Sequence, residues 1–198
     1  MLTARFREAL IYASQLHSGQ TRKQVQASGG AAVPYVAHLL AVAALVLEHG
    51  ADEDEAIAAL LHDAIEDQGG EPTRQRIRSL FGERVVAIIN GCTDAEDEPK
   101  PAWEERKQKH VASVGRASES VRLVTAADKL HNARSVLADY LRFGEDSWAR
   151  FRGGRAGTLW YYRAMVEALR QAPCPRAEPL VQELDRVVTE LELAAASA

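Results

Sequence analysis

The stretch ALLHDAIEDQ, residues 59–68, carries His62, Asp63, Glu66 and Asp67 directly after an apolar lead-in. Burying carboxylates costs several kcal/mol unless they are paired, hydrogen-bonded or metal-bound. On a continuous helix His62 would face Glu66, and Asp63 would face both Glu66 and Asp67. Three carboxylates on one turn repel one another, and the C-terminal end of a helix dipole makes matters worse. Such a cluster calls for a cation. The plainer reading is a solvated last turn, and further ligands must arrive from elsewhere to displace it.

Two further residues fit. His38 sits in PYVAHLLAVA, where an apolar run begins, and Asp128 interrupts the apolar stretch LVTAADKLHN. An acid on an otherwise buried face needs a partner. His38, His62, Asp63 and Asp128 together offer two imidazoles and two carboxylates. That set suits one divalent ion of borderline hardness, such as manganese, and leaves positions for water.

The elements that must position these residues read as helices. Phe6, Ala9, Leu10, Ala13 and Leu16 form an i, i+3, i+4, i+7 stripe. Residues 19–34 have no apolar period and read as a loop. A second helix is expected over 36–49, and a third from an Asp52 N-cap to Gly69 and Gly70. Thr73 is expected to cap a short helix ending near Phe81, and 83–93 form another. The polar run DAEDEPKP follows as a loop. Further helices are expected at 102–114, 118–138, 145–151, 155–171 and about 176–194. In the last of these Leu180, Leu184, Val187 and Leu191 stand at near-heptad spacing, which reads as a packed terminal element. A seam between copies, giving a homo-oligomer, is the alternative. The expectation is an all-α bundle of about 8–10 helices in a single domain over 1–198, with its core at about 5–170.

Composition narrows the function. The 198 residues are 46% hydrophobic, enough for a real core, and the net charge of −4 argues against a protein that grips nucleic-acid phosphates. Cys92 and Cys174 are the only cysteines and lie far apart, against a disulfide framework and with a reducing cytoplasm. MLTARFREAL lacks the features of a secretion signal, and no run of 18 apolar residues occurs. A cytoplasmic protein acting on small molecules is the reading.

The H…HD…D order resembles the HD-domain phosphohydrolases. The longer set HSGQTRK (17–23), PYVAH (34–38), HDAIED (62–67) and ADKLHNARS (127–135) is similar to the hydrolase domain of the RelA/SpoT group, particularly its single-domain small alarmone hydrolases. The resemblance covers about residues 5–170. It implies one bound manganese ion and hydrolysis of the 3′-pyrophosphate of ppGpp or pppGpp to GDP or GTP plus pyrophosphate. It implies His38, His62, Asp63 and Asp128 as metal ligands. Glu66 and Asp67 match the pair that handles the attacking water.

By the same resemblance Arg22, Lys23 and Asn132 contact the nucleotide, with Arg22 on the base and Lys23 on phosphate. Arg106 and Lys107 offer phosphate contacts, and Tyr161 an aromatic wall, although core packing of Trp160 and Tyr161 is the simpler reading. His17 is expected to support the loop or the metal shell. His49 and His110 read as surface residues, and His131 stands where the family varies. Leu39 departs from the proline that often follows the first metal histidine, and QVQASGGAAV (24–33) reads as a longer insertion beside the base-binding residues. Other substrates therefore stay open: ppApp, ordinary nucleotides, or the 2′-phosphate of NADPH. So does a silent nucleotide-binding regulator.

Overall fold

In the computed structural model, residues 1–23, 32–93 and 101–197 are described. Most of the 24–33 insertion and of the DAEDEPKP loop lies outside them. The chain folds into helices α1 (Ala4–Leu16), α2 (Val36–Glu48), α3 (Glu53–Leu61), α4 (Ala64–Asp67), α5 (Glu71–Phe81), α6 (Glu83–Cys92), α7 (Trp103–Val114), α8 (Glu119–Phe143), α9 (Gly154–Arg170) and α10 (Glu178–Ala196). The stretch expected as a helix at 145–151 is the 3-10 segment Gly144–Arg150. Among the described residues, β-type pairing is confined to one isolated bridge, Thr21–Pro34.

Helix α3 runs through the middle of the bundle. Ala56 through Leu61 are wholly buried, and the helix packs on α1, α2, α6 and α8. Each enclosed Leu or Ile contributes on the order of 1.5–3 kcal/mol. Its start is fixed by a capping box between Asp52 and Glu55. Glu55 is completely buried. It receives Arg176 through Nη1 at 2.7 Å and Nη2 at 2.9 Å, and Ser120 Oγ at 2.6 Å. One carboxylate thus ties α3 to α8 and to the segment entering α10.

The third helix does not continue to Gly69. It stops at Leu61, His62 and Asp63 form a turn, and α4 is a separate short helix. His62 supplies the reason: its Nδ1 lies 2.8 Å from the Ala59 carbonyl, the acceptor that the Asp63 N–H would take in an unbroken helix.

Thr73 is not an N-cap. Gly70, at φ +61°, precedes α5, and Pro72 occupies its first turn. Thr73 Oγ1 donates instead to the Gln68 carbonyl, closing the end of α4. The near-heptad leucines of α10 are buried within the chain, where the helix packs on α8 and α9.

Trp103 opens α7 and meets a bare stretch of α9. A Cβ on Gly153 would lie 2.5 Å from its ring, and one on Gly157 3.0 Å. Those two glycines let α7 approach α9 closely enough to form one wall of the site.

Candidate metal centre and its pocket

Helix α2 brings His38, the turn after α3 brings His62 and Asp63, and α8 brings Asp128. Asp128 Oδ1 lies 3.2 Å from His38 Nε2 and 3.6 Å from His62 Nε2. Asp63 Oδ2 lies 3.1 Å from His62 Nε2 and 3.7 Å from His38 Nε2. Ligand atoms of His38, His62 and Asp128 all fall within 4.8 Å of one another. His38, His62 and Asp128 are buried, whereas Asp63 is partly exposed.

The donor set fits a divalent ion. The buried His62 Nε2 has no hydrogen-bond partner although two carboxylates face it. Two imidazole nitrogens and two carboxylates converge there, a mixed donor set suited to a cation. His62 Nδ1 on the Ala59 carbonyl sets the tautomer that leaves Nε2 free to ligate.

The electrostatics are those of a tightly coupled cluster. Burial disfavours the charged form of both histidines. In His38 burial prevails and its pKa falls; in His62 the Asp63 and Asp128 carboxylates outweigh burial and push it well up. Burial opposes ionisation of the two acids as well. The imidazoles, joined at Asp128 by Lys129, nevertheless hold both carboxyls below the usual range.

Around the cluster opens a cavity of about 690 Å³. Glu66 and Asp67 line it, as do Arg22, Lys23 and Asn132, and so do Arg106, Lys107, His110 and Tyr161. Arg22 donates to Asn132 Oδ1 at 2.8 Å and stands 5.8 Å from the Tyr35 ring. Asn132 Nδ2 in turn donates to Asp128 Oδ1. Lys107 Nζ lies 4.6 Å from the centre of the Tyr161 ring, whose buried hydroxyl has no hydrogen-bond partner. All the residues expected to act on the nucleotide or on water therefore meet at one cavity.

Other expectations need correction. His110 is buried at 2% exposure and lines the cavity. Its place on α7 faces α9, and the contact with Tyr161 encloses it. His49 is half-buried, its Nδ1 against the Leu45 carbonyl at 2.8 Å. Arg106, offered as a phosphate contact, is buried. Trp160 is 40% exposed, while Tyr161, one position on and so turned to the other side of α9, is buried at 7%.

His17 supports the loop as expected. It is buried, stacks on Tyr35 and meets Gln20 Oε1 through Nδ1 at 2.7 Å. Four residues of the site carried no assigned role. Gln20 Nε2 donates to Asp67 Oδ2 at 2.8 Å, and the Tyr35 hydroxyl donates to Asp63. Lys129 Nζ donates to Asp128 Oδ2 at 2.6 Å, and His131 meets His38. All four stand inside the motif letters HSGQTRK, PYVAH and ADKLHNARS. The signal was there, but it had no periodicity or charge pattern to separate it from its neighbours.

An all-helical bundle with histidines and aspartates from three elements meeting at a buried point defines a metal-binding hydrolase class. A profile of the HD domain matches residues 9–159, and the chain belongs to the HD-domain family. It is 33% identical over 136 residues to the guanosine-3′,5′-bis(diphosphate) 3′-pyrophosphohydrolase MESH1 of Danio rerio, covering 68% of this chain and 70% of that protein. With the protein of that name from Xenopus tropicalis it shares 34% over 147 residues, 73% and 74% of the two chains. A GTP pyrophosphokinase rsh of Brucella ovis is 38% identical over 135 residues, but these are only 16% of that protein against 65% of this one.

Among solved structures, a metazoan ortholog of SpoT, described as hydrolysing ppGpp and acting in starvation responses, superposes with a TM-score of 0.76 at 27% identity. It covers 94% of this chain and 96% of that one. The protein lmo0812 of Listeria monocytogenes superposes with a TM-score of 0.69 at 30% identity, over 78% and 97%. Among the described residues no helix is long and apolar enough to cross a membrane.

Proposed function

We propose that this chain is an alarmone hydrolase: it removes the 3′-pyrophosphate of ppGpp or pppGpp, releasing GDP or GTP and pyrophosphate. One observation carries the reading. The His38, His62, Asp63 and Asp128 cluster opens into a nucleotide-sized cavity lined by Arg22, Lys23, Arg106 and Lys107, by Tyr35 and Tyr161, and by the acids Glu66 and Asp67. The bis(diphosphate) hydrolases among the relatives support it.

His38, His62, Asp63 and Asp128 would hold one divalent ion, and the nitrogen–carboxylate mixture suits Mn²⁺. When bound, that ion lowers the pKa of water and offsets charge on phosphoryl oxygens. The chain's own residues do the rest. Glu66 takes the proton of the attacking water as the new oxygen–phosphorus bond forms, and Asp67 orients that water. The bond between phosphorus and the ribose 3′-oxygen breaks, the 3′-oxygen takes up a proton, and pyrophosphate leaves.

Lys23 and Lys107 meet phosphate oxygens. Arg22, already held by Asn132 and flanked by Tyr35, offers a flat face to the base. Tyr161 closes the opposite wall.

The test is product analysis with Mn²⁺ and a panel of ppGpp, pppGpp, ppApp, dNTPs and NADPH. Pyrophosphate release fastest from the guanosine compounds is expected. Faster turnover of ppApp, or phosphate release from NADPH alone, would move the assignment to those substrates. Tight ppGpp binding without any turnover would make the chain a regulator.

A further inference from the structure

His38 is held from behind as well as from the front. Its Nε2 faces the two carboxylates. Its Nδ1 lies 2.8 Å from His131 Nδ1, with the ring centres 4.9 Å apart. A hydrogen bond between two ring nitrogens carries one proton, so one imidazole donates and the other accepts. An imidazole that ligates through Nε2 keeps its own proton on Nδ1. His38 is then the donor, and His131 accepts as a neutral ring.

The other imidazole of the cluster is oriented differently, by the backbone carbonyl of Ala59. Only His38 depends on a replaceable side chain.

We propose that His131 is a positioning residue for the metal centre: by accepting the Nδ1 proton of His38 it fixes the tautomer and ring plane in which His38 Nε2 meets a divalent ion. The inference rests on the metal centre proposed above. Hydrogen-bonded partners of this kind change metal affinity by about 10–100-fold when removed.

The experiment is calorimetric titration of chelated, dialysed protein with Mn²⁺, with circular dichroism to verify the fold of each variant. His131→Phe keeps a ring but no acceptor, and is expected to weaken Mn²⁺ binding at least tenfold. His131→Asn, whose Oδ1 falls near the place of Nδ1, is expected to stay within about threefold of the parent. Should the phenylalanine variant fail to fold, His131→Ala takes its place.

Unchanged affinity in the folded His131→Phe overturns the inference. So does an equal loss in the asparagine and phenylalanine variants, which would make His131 a packing residue. His38→Ala separates the two claims. Parent affinity in that variant would overturn the metal centre itself, whereas loss there with none in His131→Phe removes only the role of His131.

Discussion

At the scale of single residues, the cluster makes its own pH signature. The carboxyls of Asp63 and Asp128 are held low. Their contribution is therefore present above the unfolded carboxylate value of about 3.9 and is lost as pH falls through their folded values. His38 and His131, both lowered, take up their protons in the fold at lower pH than in the unfolded chain. The unfolded chain binds those protons first, so stability rises with pH until about 6.5. His62 is raised; its contribution is complete below about 6.5 and disappears as pH climbs through the folded value.

Together these set a stability maximum for the chelated protein near pH 6.5, measurable as the urea midpoint across pH 5 to 9. His62→Ala should flatten the alkaline limb, and an unaltered limb would remove His62 as its cause. A second expectation concerns Glu66. Glu66→Ala should bind Mn²⁺ as the parent does, yet lose about 10²-fold or more in kcat. Parent-like turnover in that variant would take Glu66 out of the mechanism.

The residues of this centre were legible because acids and histidines stand out in apolar runs. Gln20, Tyr35 and Lys129 were not, since a neutral amide, a phenol and a lysine next to an acid are ordinary in any sequence.

At the scale of elements, the bundle was legible wherever a helix had an apolar stripe, and less so where side chains override the backbone. The turn at His62–Asp63 could not be read from periodicity, because it arises when an imidazole takes a main-chain acceptor. The start of α5 was misplaced because the Thr73 hydroxyl serves the helix before it. The late end of α8, at Phe143 rather than 138, follows from Leu137 and Tyr140 continuing its buried face.

The tie between Glu55 and Arg176 gives an element-level expectation. Arg176→Ala leaves a buried carboxylate with Ser120 and the Asp52 N–H as its remaining donors. Breaking an enclosed pair costs about 3–5 kcal/mol. Arg176 is about a third exposed, so solvent screening brings the expected loss to about 2 kcal/mol. Urea unfolding measures it, and a change below about 0.5 kcal/mol would show the pair to be dispensable.

At the scale of the whole molecule, three elements distant in sequence must be in register before the cluster exists. Metal binding should therefore be coupled to folding. A ligand that binds only the folded chain stabilises it by about 2.7 kcal/mol at a hundredfold excess over its Kd. Mn²⁺ should accordingly raise the thermal midpoint of the chelated protein, and Asp128→Ala should abolish the rise. A midpoint indifferent to Mn²⁺ would mean that the centre is not formed by folding.

The indole of Trp103, seated where Gly153 and Gly157 carry no side chain, has an evolutionary consequence. Trp103 and a glycine pair some fifty residues further on are bound into one inherited unit. A smaller residue at the tryptophan position would leave room for alanine at the other two, whereas the indole leaves none at Gly153 without shifting. In a deep alignment the three columns should change together or not at all.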